Sequence, residues 1–296
     1  MSIAPLRTET ILHAGCKINL FLEILQRLDN GYHELRTLLF PLSDPCDLLH
    51  VGPAFSGSGL TFRCSLPELE SKDNLVVTAY ELFCRETGTR PDLTVMLEKH
   101  IPYGAGLGGG SSDAARLLAY LNDTAGPDAL SPQKLHQTAA ALGADVPFFL
   151  EDGPMWGEGT GTRLRATAVD LTGFTLLLIC PKATVSTAWA YKAWDRSLEE
   201  ETLSGQNVLT PSLVKDKVFV SASYLFGLFN SLESAVFPAY PGLREIKEQC
   251  LKLGAAGALM SGSGASVFAL FRDSGQAENA ARMLRPSVDA VFLRSF

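Results

Sequence analysis

The run Pro102-Tyr103-Gly104-Ala105-Gly106-Leu107-Gly108-Gly109-Gly110-Ser111-Ser112 puts five glycines into seven positions and passes directly into residues 113–122, a strongly helical stretch. Glycines lack a Cβ, so successive backbone N–H groups can converge on an anion. The first turn of the following helix adds unpaired donors and the positive end of its dipole. A phosphorylated ligand is the first expectation.

Two better-known phosphate loops are poor matches. A Walker A loop needs Gly-x4-Gly-Lys-[Ser/Thr], but Gly109 is followed by Gly110, and neither the loop nor the helix after it holds a lysine. Gly104 to Gly109 satisfies G-x-G-x-x-G, a weak match to a dinucleotide-binding fingerprint when taken alone. Its context is wrong. Leu93, Val95 and Leu97 alternate with Thr94, Met96 and Glu98, which suits a one-sided antiparallel strand, whereas a dinucleotide-binding strand is buried on both faces. Ser131 to Leu142 then reads as a second helix where a parallel strand is due.

With 296 residues, 46% of them hydrophobic, the chain is long enough for two domains with substantial cores. The formal net charge is −7, without any block of Lys or Arg, so no electrostatic footprint for nucleic acid or an anionic membrane is present. A small anionic substrate must be captured by local groups. Residues 1–16 do not read as a signal segment, and the apolar run Leu176 to Cys180 is too short to span a bilayer, so a cytoplasmic protein is expected. Six scattered cysteines without a C-x-x-C pair read as reduced core thiols.

Along the chain, Ile18, Leu20, Leu22 and Ile24 alternate with Lys17, Asn19, Phe21 and Glu23, the pattern of a strand with one apolar face. Asp29-Asn30-Gly31 supplies a turn. A strand near Thr37 to Leu42 is followed by irregular chain through Gly59. Asp73 and Asn74 then offer caps for a helix from Leu75 to Thr87 that Gly88 closes. The helix from Ser131 ends at Gly143, residues 153–161 read as a flexible glycine-rich connection, and Phe174 to Cys180 as a buried strand. Leu225, Phe229, Leu232 and Val236 recur at helical spacing, and Leu243 to Leu253 carries another amphipathic helix. Met260 to Ser266 is a second glycine/serine loop before the strand Val267 to Phe271. The class is α+β in two domains, 1–165 and 166–296, with mixed or antiparallel sheets, helices packed on them and a cleft between the domains.

On a strand, Lys17 and Asn19 share a face, so an amine and an amide are displayed as a pair. A solvated strand edge is the commoner setting for such a lysine. Asp145 stands between Ala144, Val146, Pro147, Phe148 and Phe149, where an unpartnered carboxylate would be costly, so it is either a turn acceptor or part of a polar site. If it meets Lys17 in space, the pair suits proton removal from an alcohol during phosphoryl transfer.

Taken together, Pro102 to Ser112, the Lys17-Ile18-Asn19-Leu20 strand, Gly143 to Pro147 and Ser261 to Ala265 resemble the GHMP kinases in order and spacing. Asp29-Asn30-Gly31-Tyr32-His33 resembles, more narrowly, the branch that acts on a cytidine-diphosphate-linked methylerythritol. The resemblance implies the two-domain GHMP kinase fold and ATP phosphates at Pro102 to Ser112. It implies Asp145 as base toward the alcohol with Lys17 assisting, and Asn19 lining the same pocket. It also implies Tyr32 and Tyr191 on the faces of the cytosine and His33 on its polar edge. Magnesium follows from the reaction but its protein ligand does not; Ser112, at the helix start, is the first candidate, with water and phosphate oxygens filling most positions. Asn230-Ser231-Leu232-Glu233 departs from the family's usual Asn-Asp-x-Glu.

Overall fold

The computed structural model describes residues 9–203, 219–221 and 224–296. Two compact units emerge, and the chain passes repeatedly from one to the other. The first holds residues 9–16, 42–103 and 108–152; the second holds 17–41, 104–107 and the described chain from 153 onward. Two long strands, β1 (Thr10–Arg27) and β2 (His33–Pro53), contribute to both. The irregular chain expected through Gly59 is therefore mostly strand, and only residues 54–59 are irregular.

In the first unit, β3 (Leu60–Cys64) lies parallel to β4 (Leu93–Glu98), and β4 lies antiparallel to the end of β2, with Val51 opposite Val95. Helix α1 (Leu75–Thr87) has the expected ends. The Asn74 side chain accepts from the Val76 amide at 2.9 Å, and Gly88, at φ 73°, closes the last turn on the Cys84 carbonyl. Val76, Ala79, Tyr80 and Phe83 recur at three- and four-residue spacing, and this stripe is buried. It packs in one core with Leu49, Val51 and Val95 of the strands and with Leu117, Leu118 and Leu121 of α2 (Gly109–Thr124). Helix α3 (Pro132–Leu142) starts at the Ser131 cap and ends at Gly143, as its sequence predicts. Helix α2 starts earlier than expected, so Gly109, Gly110, Ser111 and Ser112 form its first turn.

In the second unit, residues 17–24 of β1 are buried on both faces, with Lys17 and Asn19 only 4% and 3% exposed. The one-sided strand expected from the alternation is corrected here. The second face is covered by residues distant in the chain, since the Phe21 ring meets Trp156 and Phe229, both at 5.7 Å. The glycine-rich stretch after residue 153 is not a loose connection. It forms β5 (Met155–Gly159), which pairs with Leu35–Leu39 of β2 and with β6 (Arg163–Ala166).

The rest of this unit carries a four-stranded antiparallel sheet. The chain contributes β7 (Thr175–Cys180), then α4 (Thr187–Leu203), β8 (Phe219–Ser221), β9 (Tyr224–Phe226) and β10 (Phe229–Asn230). Helices α5 (Glu233–Ala239) and α6 (Pro241–Lys252) follow, then β11 (Gly257–Met260), β12 (Val267–Phe271), α7 (Ser274–Leu284) and β13 (Ala290–Ser295). The sheet order is β11-β12-β7-β13. Leu177, Ile179, Ala269 and Phe271 pack against Ala277, Ala280 and Leu284 of α7 and Cys250 of α6. Burying a side chain such as Phe271 contributes roughly 1.5–3 kcal/mol. The helical spacing expected from Leu225 to Val236 is broken, because Leu225 lies in β9, Phe229 lies in β10, and Gly227 sits between them at φ 97°. Only from Glu233 does the chain become helical. No helix among the described residues is long and apolar enough to cross a membrane.

Candidate active site

The glycine loop is held by its carbonyls. Those of Ala105, Gly106 and Leu107 accept from the Ser266 amide at 3.1 Å, the Lys17 ammonium at 3.1 Å and the Lys17 amide at 2.9 Å. Ala105 and Leu107 are buried, while Tyr103, Gly104 and Gly110 are exposed. Among the described residues, no main-chain hydrogen bond outside helices and strands is donated by Gly104 to Ser111. A segment whose acceptors are spent and whose donors are not is suited to an anion, and the dipole of α2 begins at its end. Gly106 is indispensable on steric grounds. It sits at φ 76°, and a Cβ there would lie 2.6 Å from the Gly264 carbonyl oxygen and 2.7 Å from that of Ser261.

Lys17 and Asn19 form a pair, and not at a solvated edge. The Lys17 Nζ donates to Asn19 Oδ1 at 2.7 Å, and Asn19 Nδ2 donates to the Thr37 hydroxyl at 2.8 Å, which in turn donates to the Phe21 carbonyl. The second glycine/serine loop joins this group. A Cβ on Gly262, at φ 57°, would be 3.3 Å from Lys17 Nζ, Asn19 Oδ1 and the Gly106 carbonyl oxygen alike. That loop is fixed by Asn230, whose Nδ2 donates to the Met260 carbonyl at 2.8 Å and the Gly262 carbonyl at 2.7 Å. The neighbouring Ser231 accepts from the Ile24 amide at 3.1 Å, and nothing in the structure explains its departure from the family's usual aspartate.

Asp145 belongs to the other unit. It is half-buried in the turn after α3, between Gly143 and the short helix Pro147–Leu150, followed by the buried Val146, Pro147 and Phe148.

Tyr32 and His33 follow the turn at Asn30 and Gly31, where the Asn30 side chain accepts from the Tyr32 amide at 3.0 Å. Tyr32 is 66% exposed and His33 is 8% exposed. Helix α4 supplies the neighbours of His33. Tyr191 stacks on its ring with centroids 4.9 Å apart, Trp194 meets it edge-on at 5.8 Å, and Asp195 Oδ1 lies 2.7 Å from its Nε2. A carboxylate accepts, so Nε2 carries the proton, and in the neutral ring Nδ1 is an acceptor. Sequence reasoning missed Asp195 and Trp194, which sit on a helix with no motif of their own.

A buried ionic cluster in the first unit was also missed. Lys99 donates to Asp47 and, at 2.7 Å, to Asp113, and all three are at least nine-tenths buried. Asp113 shares a helix face with Leu117 and Leu121 at four-residue spacing, so a carboxylate on an apolar stripe was the available signal. Burial pushes the Asp113 carboxyl up to about 7, with the Asp47 charge adding to the shift against the opposing pull of Lys99.

Comparisons with known proteins show what the chain as a whole is similar to. Residues 74–153 match the GHMP kinases N-terminal domain, and residues 212–288 match the GHMP kinases C-terminal model. A protein of Solidesulfovibrio magneticus named 4-diphosphocytidyl-2-C-methyl-D-erythritol kinase is 46% identical over 288 residues, covering 96% of both chains. One of the same name from Nitratidesulfovibrio vulgaris strain DP4 is 46% identical over 276 residues, covering 93% of this chain and 94% of its own. A crystal structure of 4-(cytidine 5'-diphospho)-2C-methyl-D-erythritol kinase superposes with a TM-score of 0.73 at 32% identity, over 96% of this chain and 98% of the other. The mevalonate kinase of Methanococcus jannaschii has the same fold at a TM-score of 0.68 and 14% identity, over 98% of this chain and 99% of its own.

The raised Asp113 carboxyl has a consequence for stability. Folding retains a proton that the unfolded chain releases near the ordinary carboxylate value of 3.8. Its stabilising contribution is full below that value, falls as pH rises, and is gone above about 7. Asp113→Asn keeps the neutral form at every pH. In urea titrations across this window, the variant should gain on the wild type by up to about 1.4 kcal/mol per pH unit. Parallel pH profiles for the two proteins would contradict the assignment.

Proposed function

The chain belongs to the GHMP kinase family, and we propose that it transfers the terminal phosphoryl group of ATP to the 2-hydroxyl of 4-diphosphocytidyl-2-C-methyl-D-erythritol, a step of non-mevalonate isoprenoid precursor biosynthesis. The observation that carries the substrate assignment is the group around Tyr32 and His33, in a chain 46% identical over nearly its whole length to proteins bearing that substrate's name. A two-thirds exposed tyrosine beside a histidine locked by a carboxylate and two aromatic rings is poorly explained by turn closure alone.

In this reading Tyr32 and Tyr191 offer aromatic faces to the cytosine. Stacking tolerates any base, so discrimination must come from hydrogen bonds. The Nδ1 acceptor of His33, fixed by Asp195, suits the exocyclic amine of cytosine and opposes the carbonyl that uracil has there. The main-chain donors of Pro102 to Ser112 receive the ATP phosphates. Their fit is supported by the loop carbonyls spent on Lys17 and Ser266 while, among the described residues, the amides of Gly104 to Ser111 donate no main-chain bond outside helices and strands.

Asp145 acts as base on the acceptor hydroxyl, Lys17 offsets developing charge, and Asn19 holds the Lys17 amine in place. Phosphoryl transfer is mainly positioning and charge stabilisation, and magnesium would neutralise the nucleotide oxygens. Among the described residues, no group of three or more His, Cys, Asp or Glu side chains gathers to hold a metal, so phosphate oxygens and water would supply most of its ligands. The two family matches fall on either side of the proposed division at residue 165, although the compact units themselves interleave along the chain. A cytoplasmic, membrane-independent protein acting on a small molecule completes the reading.

The direct test is ADP release with the cytidyl alcohol, homoserine and mevalonate as alternative acceptors. Turnover confined to the cytidyl alcohol is expected, and turnover on another acceptor alone would refute the assignment. Asp145→Ala should lower kcat by about 10²–10⁴-fold with little change in ATP affinity. Unchanged turnover removes Asp145 from the reaction. Tyr32→Ala should weaken the cytidyl alcohol by about 1–3 kcal/mol while sparing ATP. Equal losses for both ligands would contradict a base-stacking role.

A further inference from the structure

The ionic cluster of Lys99, Asp47 and Asp113 takes no part in the reaction as described, yet it stands at both ends of the glycine loop. Asp47 Oδ1 accepts from the amides of His100 at 2.6 Å and Ile101 at 2.8 Å, the last residues before Pro102. Lys99, in the same stretch, reaches Asp113 at 2.7 Å, and Asp113 lies on the second turn of α2. The two ends also touch where α2 begins. A Cβ on Gly109 would lie 3.1 Å from Ile101 Cγ2 and 3.4 Å from Asp47 Oδ2.

We infer that Asp47, Lys99 and Asp113 are positioning residues for nucleotide binding: they clamp the chain entering the glycine loop to the helix leaving it, and so hold the first-turn amides of α2 ready for the triphosphate. This rests on the reading of that loop as the ATP-phosphate site. Buried ion clusters are poor devices for stability, because desolvation offsets their attraction and apolar residues of similar volume often serve as well. What they provide is one fixed geometry. Two further observations point the same way. Asp113 Oδ1 and the Ser112 hydroxyl, both buried, are without a hydrogen-bond partner, so polar capacity is held in reserve beneath the first turn. Closing the loop ends in advance removes an ordering cost that nucleotide binding would otherwise bear.

The test compares the full chain with the double variant Lys99→Met/Asp113→Leu and with Asp113→Asn. A non-hydrolysable ATP analogue is titrated, with inorganic tripolyphosphate as competitor, and KM for the alcohol is measured in parallel. The double variant should bind the analogue about 10–100-fold more weakly, as expected when donors are misplaced by about an ångström. Its tripolyphosphate affinity should fall in step, and its KM for the alcohol should hold. Asp113→Asn, which keeps an acceptor oxygen for the Lys99 ammonium, should retain wild-type nucleotide affinity. Unchanged analogue affinity in the double variant, or equal losses for nucleotide and alcohol, overturns the inference. Should the double variant not fold, Asp47→Asn decides, since it weakens the tie to Lys99 while keeping an oxygen for the two amides. Weaker analogue binding supports the clamp, and wild-type affinity overturns it. Failure of the wild-type chain itself to bind the analogue refutes the kinase reading, an outcome distinct from all of these.

Discussion

A buried ammonium has to be satisfied, and the Lys17 side chain organises the second unit around that demand. It sits 4% exposed on β1, a strand covered on both faces, where an unpaired charge would cost several kcal/mol. Asn19 and the Gly106 carbonyl meet it at 2.7 and 3.1 Å. The glycine loop must therefore present carbonyls to β1, and Gly106 and Gly262 must be glycines, since side chains there would occupy the space of these contacts. Lys17 consumes the carbonyls of Gly106 and Leu107, and the Ser266 amide consumes that of Ala105. The property that suits the loop to an anion follows from the way the loop is attached.

The same economy recurs in the first unit with a second buried lysine. Lys99 pairs with two carboxylates, Asp47 and Asp113, and burial raises the Asp113 carboxyl to about 7. In the proposed reading Lys17 serves the chemistry of the acceptor, while Lys99 serves the shape of the loop. A comparable contrast holds between Tyr32 and His33. Tyr32 is exposed and His33 is enclosed, and Asp195 decides which nitrogen of the imidazole donates.

Much of the local structure was legible because it depends on neighbours in the chain. Asn74, Gly88, Ser131 and Gly143 mark helix ends through bonds made within a few residues, and α1 and α3 appear where those signals stand. The glycine loop and its helix were legible for the same reason. What failed depends on distant residues. The alternation in β1 shows one apolar face, but Phe229 and Trp156, which cover the other face, are two hundred and more than one hundred residues away. The glycines around β5 looked like a flexible connection. Gly157 is small for close packing instead, since a Cβ there would lie 3.1 Å from both the Gly161 carbonyl oxygen and Thr37. Asp195 and Lys99 left no local signal because their partners, His33 and Asp47, enter from other elements.

The central claim is that main-chain amides of the glycine loop receive the nucleotide's phosphates, and amide hydrogen exchange reads those amides directly. On addition of a non-hydrolysable ATP analogue, the account predicts slower exchange at Gly104 to Ser112 and no change at Gly31 to His33. Undiminished exchange across Gly104 to Ser112 at saturating nucleotide would contradict it.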